Sequence, residues 1–334
     1  MRHTPFAQCA PRALTRLGLA LTAFATLGFS AAANAAPTDF PDKPITVVVP
    51  FPAGGPTDAS ARLFARAMGD NLGQPIVVDN RAGAAGTVGS AWVARAGADG
   101  YTLLWGGTST LAVAPKLYKN LKYDAKSFIP VGMALRGPLM LAGRQGLAPN
   151  TLPELLKYAK DQALTVGSAG NGSIGHLATE YLKERAHIPL THVPYRGGSP
   201  AITDALGGQI DLVFDTAAAL APYIKSGKLK AYAVTGAQPY APLPQVALMK
   251  SAVDGYEAYS WFGLVAPANT PAPVVQKLSQ AFAKAAQSDE VRRELAATGV
   301  EPGVAGAAEF AKVIGADFAK WSALITRANV RADD

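Results

Sequence analysis

Ile45-Thr-Val-Val-Val-Pro50 runs directly into Phe51-Pro-Ala-Gly-Gly-Pro-Thr-Asp58. The β-branched run is a strand, the Pro/Gly segment a tight loop, and Ala59 to Met68 a helix. Such a junction aims unpaired backbone N–H groups and the positive end of a helix dipole at whatever lies above the strand. An anion, phosphate or carboxylate, suits that position. Thr57 and Asp58 also read simply as caps of the helix.

Upstream, Arg2, Arg12 and Arg16 precede an apolar run from Leu17 to Phe29. That run is well short of the ~20 residues needed to span a bilayer. Ala33-Asn34-Ala35 fits the small-x-small cleavage rule, so residues 1–35 read as a signal peptide and the mature chain starts at Ala36. Cys9 leaves with it, so the mature protein needs no disulfide. An exported protein of a bacterial periplasm fits these features.

Loss of the three arginines lowers the formal charge from +7 to +4. So small a charge without a basic block gives no reason to propose nucleic acid or a membrane surface as partner.

From Pro44 the chain alternates strands and helices, the pattern of βαβ units and a mainly parallel sheet. Strands are expected at Gln74–Asp79, Tyr101–Trp105, Leu164–Ser168, Leu190–Pro194, Ile210–Phe214 and Leu229–Thr235. Val131–Gly143 and Tyr256–Pro267 are extended passages without helical period, and only helices are expected after the second. The expected architecture is two α/β lobes joined by two crossing strands. Domain 1 is discontinuous, 36–138 plus 263–334, and domain 2 is 139–262.

Ligands of open α/β sheets sit beyond the carboxyl ends of the strands. The loops there are rich in Gly, Ser and Thr in both lobes. Phe51, Gly54, Gly55, Pro56, Thr57, Thr108 and Ser109 belong to the first lobe. Ser168, Ala169, Gly170, Gly172, Ser173, His176, Tyr195, Arg196, Gly197 and Asp215 belong to the second. Two facing sets of backbone donors would hold a small anion without a fixed cation, although tight turns alone also explain single glycines. Arg196 suits a ligand carboxylate or an inter-loop ion pair. Asp215 suits a ligand hydroxyl or ammonium, or a cap for the next helix. His176 suits a ligand contact or a brace for its loop, and Phe51, Trp105 and Phe214 a pocket wall or the core.

Gly170-Asn-Gly-Ser-Ile-Gly175 matches G-x-G-x-x-G, but the next strand, Leu190-Thr-His-Val-Pro194, lacks the acid a dinucleotide ribose needs. Asn171 stands where a nucleophile elbow requires glycine before Ser173. His176, His187 and His192 show no metal-ligand spacing. No cofactor, metal or catalytic group is expected.

The export signal, PFPAGGPTD (50–58), GQPIVVDNRAGAAG (73–86), DGYTLL (99–104), LYKNLKYD (117–124), SAGNGSIGHLA (168–178), HVPYRGGSPAITDALGGQIDLVFD (192–215), GKLKAYAVT (227–235) and WFGLVAPANTP (261–271) occur in this order. Together they resemble the tripartite tricarboxylate transporter substrate-binding receptors, the Bug or TctC proteins, over essentially the whole mature chain. The resemblance implies a two-domain, type II-like Venus flytrap of the periplasm that closes on a small carboxylate. It implies that Phe51–Thr57 and Ser168–Ser173 bind the ligand carboxylate, partly through ordered waters. Ala53 stands where many relatives have proline, and Arg196 where lysine is frequent. The implied protein is a monomer that passes a small organic acid to transmembrane permease subunits. A sensor docking on a membrane histidine kinase and an exported enzyme acting on an acid are the alternatives.

Overall fold

The computed structural model describes residues 40–124, 126–303 and 306–332, and the expected signal peptide lies outside them. Strand β1 (Ile45–Val49) leads into α1 (Pro56–Leu72), β2 (Ile76–Asn80), α2 (Thr87–Val93) and β3 (Thr102–Gly107). A π-helical turn over Thr108–Val113 and α3 (Ala114–Leu117) then precede the long strand β4 (Phe128–Arg144). The second half runs α4 (Leu152–Asp161), β5 (Leu164–Ser168), α5 (Ile174–Ala186), β6 (Leu190–Pro194), α6 (Gly198–Leu206), β7 (Leu212–Thr216), α7 (Ala217–Lys225) and β8 (Leu229–Val234). The chain ends with β9 (Tyr259–Pro267), α8 (Ala272–Gln287), α9 (Asp289–Thr298), β10 (Glu301–Pro302) and α10 (Ala307–Arg327).

The strands form one curled sheet in the order β2-β1-β3-β9-β4-β7-β5-β6, with β8 and β10 also on β4. Pairing is parallel within β2-β1-β3 and within β7-β5-β6, and antiparallel wherever β4 or β9 takes part. Both extended passages are therefore strands, and they are the two crossing strands. Phe128 to Pro138 pairs with β9, whereas Leu139 to Arg144 lies between β7 and β8. One strand thus passes from the first lobe's sheet into the second's.

β1 is buried on both faces, which is why its sequence is continuously β-branched. Val47 and Val49 pack with Phe64, Met68 and Phe282 beneath α1 and α8, whereas Val48 faces the other way with Leu104 and Val113. In the second lobe α6 and α7 cover Met140, Val213 and Val234. Trp105 is core, tilted against Phe64, whereas Phe214 is buried and also forms part of the wall of the cavity between the lobes.

Two expectations need correcting. The last third is not purely helical, because Glu301 and Pro302 pair with Arg136 and Leu135. Two residues, one a proline, carry no strand period. Helix α1 starts at Pro56, earlier than the expected Ala59, with Gly55 rather than Thr57 or Asp58 at the N-cap and no side-chain cap. Proline suits the first helical position, whose N–H would lack an acceptor anyway.

Thr235 ties the crossing together. Its buried hydroxyl accepts from Leu139 N–H (2.8 Å) and donates to the Ala258 carbonyl (2.6 Å), while Ala258 N–H returns to Thr235 O (3.1 Å). Thr235→Val keeps the shape but strands a buried donor and acceptor. Unfolding in urea should show a loss of about 1–3 kcal/mol. A midpoint equal to that of the parent would show that the bonds add nothing.

Candidate functional site

The loop from Pro50 to Gly55 is held from below by Asp58. Its carboxylate accepts from Gly54 N–H (2.9 Å), Arg62 Nε (3.0 Å) and Asn80 Nδ2 (2.9 Å). Burial alone would raise its pKa, but these donors bring it below the ordinary value. Asn80 also donates to Phe51 O (3.1 Å). Asp58 therefore fixes the loop and is unavailable to a ligand.

The opposite loop, between β5 and α5, is braced by a buried polar cluster. Ser168, fully buried, meets Ser173 Oγ at 2.9 Å and His192 Nε2 at 2.7 Å. Ser173 caps α5 by accepting from His176 N–H (3.2 Å), and Gly172 N–H donates to His176 Nδ1 (3.1 Å). The imidazoles of His176 and His192 stack with centroids 3.9 Å apart. Gly170 (φ +122°) and Gly172 (φ +76°) occupy left-handed backbone conformations that the turn requires.

Between these loops lies a cleft of about 110 Å³. Its walls are Phe51 and Gly55–Thr57 from the first lobe, and Ala169, Ser173–Gly175, Gly198–Ser199 and Asp215–Thr216 from the second, with Ser260 and Phe262 of β9 between them. A second chamber of about 300 Å³ adjoins it at Phe51, Pro52 and Ala169, and reaches Ala82–Gly86, Tyr118 and Tyr195–Gly197. The N-termini of α1, α5, α6 and α7 all end on the cleft, so the positive ends of four helix dipoles meet there. Pro56 and Pro200 carry no N–H, and the Ile174, His176 and Ala219 N–H groups already donate to Ser109, Ser173 and Thr216. The lobes touch around it: Ile174 N–H donates to Ser109 Oγ (3.0 Å) and Tyr118 Oη to Asn171 O (2.6 Å).

Arg196 is the one cation among the described residues lining these two chambers. It is exposed and has no carboxylate partner there. Asp215 is the one acid. Burial raises its pKa to about 6 against the hydrogen bond it accepts from Thr216 N–H (2.6 Å). Its Oδ2 lies so near Gly198 that a side chain at 198 would overlap it. Among the described residues no cluster of three His, Cys, Asp or Glu could hold a metal ion.

The structure brings Phe51, Gly55, Pro56, Thr57, Ser109, Ala169, Ser173 and Asp215 together in the first chamber. Gly170, Tyr195, Arg196 and Gly197 line the second. Thr108, Ser168, Gly172 and His176 lie behind the lining, Thr108 accepting from Trp261 N–H (3.0 Å), whereas Gly54 is exposed on its loop outside both linings. Tyr195 donates to Asp204 Oδ2 (2.7 Å). Sequence reasoning passed over Ala84 and Ala85 (φ +44° and +51°), Ser260 and Phe262, whereas Gly198, Ser199 and Thr216 belong to the strand-end loops it groups at the cleft. The first two follow a strand end and a glycine turn, the same signal that found the other loops. Ser260 and Phe262 sit in a strand and carry no such signal.

Residues 60–330 match the family model described as tripartite tricarboxylate transporter family receptor. BugT of Bordetella pertussis is 34% identical over 318 residues, covering 93% of this chain and 97% of BugT. The structure of R. palustris Rpa4515 with adipate is similar at TM-score 0.84 and 33% identity, covering 88% of this chain and 100% of that one. MatC from Rhodopseudomonas palustris with bound malate gives 0.81 and 32%, covering 86% and 100%.

The stacked histidines set a pH dependence. Burial first, then each neighbouring positive charge, lowers His176 to about 3 and His192 to about 4, from 6.5. The unfolded chain takes up these protons near pH 6.5, which the folded chain refuses until much lower. Their contribution to stability is therefore complete above pH 6.5 and is lost as pH falls toward 3. Asp215, raised from 3.8 to about 6, acts oppositely: its contribution is complete below 3.8 and is lost as pH rises through 6. The two histidines outweigh it, so the urea midpoint should fall between pH 6.5 and 4. His192→Asn should fall less steeply, and identical slopes would rule out the pair as the cause.

Proposed function

Because the chain belongs to the tripartite tricarboxylate transporter receptor family, we propose that it is an exported, monomeric receptor that captures a small organic carboxylate and hands it to a membrane permease. The observation that carries this reading is the convergence of four helix N-termini on one cleft between the lobes, with Arg196 the one cation among the described residues of the adjoining chamber. Aimed amides select an anion by geometry and release it more readily than a buried ion pair would.

Two relatives of known structure hold adipate and malate, both carboxylates. In this chain the acid group lies at Phe51–Thr57 and Ala169–Gly175. Ligand contacts made to both lobes at once favour the closed arrangement, so capture is a population shift about the β4–β9 crossing. The lobes are 36–138 with 263–334, and 139–262. The closed form presents one composite face to the permease in the periplasm.

An enzymatic reading would rest on the Ser168–His192 contact at 2.7 Å. Ser168 is fully buried beneath the loop and also engaged by Ser173. That arrangement supports a brace rather than a nucleophile.

The test is thermal unfolding across a panel of mono-, di- and tricarboxylates, amino acids included. A true ligand at a hundredfold excess over its Kd should add about 2.7 kcal/mol of stability and raise Tm. A flat response across the panel overturns the reading. A ligand recovered chemically changed after incubation would replace it with the enzymatic one.

A further inference from the structure

Past Phe262 the cleft opens into a third and larger chamber, of about 370 Å³, which shares Pro56, Thr57, Thr216, Ser260 and Phe262 with the first. Its floor is Leu135 to Pro138 of β4, one wall is α1 from Ala59 to Arg66, and the other is α9 with Val300. Tyr240 of the second lobe roofs it by donating to Thr298 O of the first at 2.5 Å. Gly299 (φ +69°) lies so close beneath Tyr240 and Pro242 that a side chain there would overlap both.

The polar groups of this chamber are mostly engaged elsewhere. Arg62 binds Asp58 and Asn80, and Arg66 pairs with Glu290. Ser60 donates to Thr57 O (2.9 Å) and Thr298 Oγ1 to Leu295 O (2.8 Å). What remains facing inward is Leu63, Leu135, Pro138, Ala218, Leu295, Val300 and the Tyr240 ring. The acid at its edge, Glu294, is exposed and has no partner among the described residues. A second carboxylate at this end would meet Glu294, and the two cations among the described residues lining it, Arg62 and Arg66, already face acids of their own.

We infer that the ligand is a monocarboxylate with a sizeable aliphatic or aromatic body, its acid group in the amide-lined cleft and its apolar body in this chamber. The inference rests on the receptor reading above and names its substrate class. The chamber falls within the usual range for small-molecule sites, about 300–1,000 Å³, and is apolar with polar groups gathered at one end. Thr57 and Ser260 mark the boundary between the two parts.

Titration calorimetry with the straight-chain acids from butanoate to decanoate, 3-phenylpropanoate, malate and adipate tests this. Affinity should rise about threefold to fourfold per added methylene until the chamber is full. The phenyl acid should bind at least about tenfold more tightly than malate, a difference of the size expected when an aromatic body is buried. Ala59→Phe and Ala218→Phe, each checked for an unchanged melting profile without ligand, should flatten the chain-length dependence by filling the space. A flat series with tight malate or adipate overturns the inference and leaves the carboxylate receptor standing. A steep series that neither variant flattens overturns it too, by placing the body elsewhere. Binding of none of these acids overturns the inference, and the receptor reading is then decided by the wider panel of tricarboxylates and amino acids.

Discussion

Everything in this molecule hangs from the antiparallel pairing of β4 with β9. β4 is long enough to belong to both lobes, pairing with β9 through Pro138 and with β7 and β8 from Leu139. A sheet edge left open at that point would expose a row of backbone donors and acceptors. Here it is filled from both sides, so the lobes share a continuous hydrogen-bonded floor. The cleft is the space above that floor. Ser260 and Phe262 of β9 form its base, which makes the crossing part of the site as well as its support.

On that floor the chemistry is divided between groups that stay free and groups that hold them in place. First-turn amides can point into the cleft only because other polar groups fix the turns from behind. Asp58 does this for the first lobe, and Ser168, Ser173, His176 and His192 do it for the second. The braces are buried and mutually bonded, and a half-satisfied version of either network would leave a costly orphan group. Glycine is needed where backbone and carboxylate come close, as at Gly198 beside Asp215. The same residue types thus serve two roles, separated by a few ångströms of depth.

That depth explains what the sequence could reveal. Strand-loop-helix grammar is local, so β5, β6, α4 and α9 are legible to the residue, and both crossing passages are visible as extended runs without helical period. The grouping of Gly-rich loops at strand ends is also local and marks the cleft. Whether a loop residue faces inward or backward is not local. Ser168 and Ser173 are five residues apart and equally plausible on paper, yet one is sealed against His192 and the other lines the cleft. His192, on the neighbouring strand, decides the matter. Ser260 and Phe262 were hidden for the opposite reason: an apolar crossing strand looks the same whether or not a ligand rests on it. The apolar chamber is built from α1, α9 and Tyr240, which are far apart in the chain, and only tertiary packing brings them together.

Charge placement then gives the three chambers an order. Asp215 projects into the middle one, and burial holds its pKa near 6, so it is largely ionised at neutral pH. An acid group in that chamber keeps clear of Asp215 by lying toward α1 and α5, because a like charge repels it from the α6 and α7 side. Arg196 stands on the far side, past Phe51 and Ala169, and Glu294 on the other, past Phe262. The charges therefore run from Arg196, through Asp215, to an apolar space edged by Glu294 and by two arginines paired with other acids. On the reading proposed above, an acid group would lie against α1 and α5, and its body would extend past Asp215 toward Tyr240. A hydroxyl or ammonium on that body would find Asp215 as its acceptor, so this one carboxylate both repels the wrong end of a ligand and can reward a donor placed midway along it.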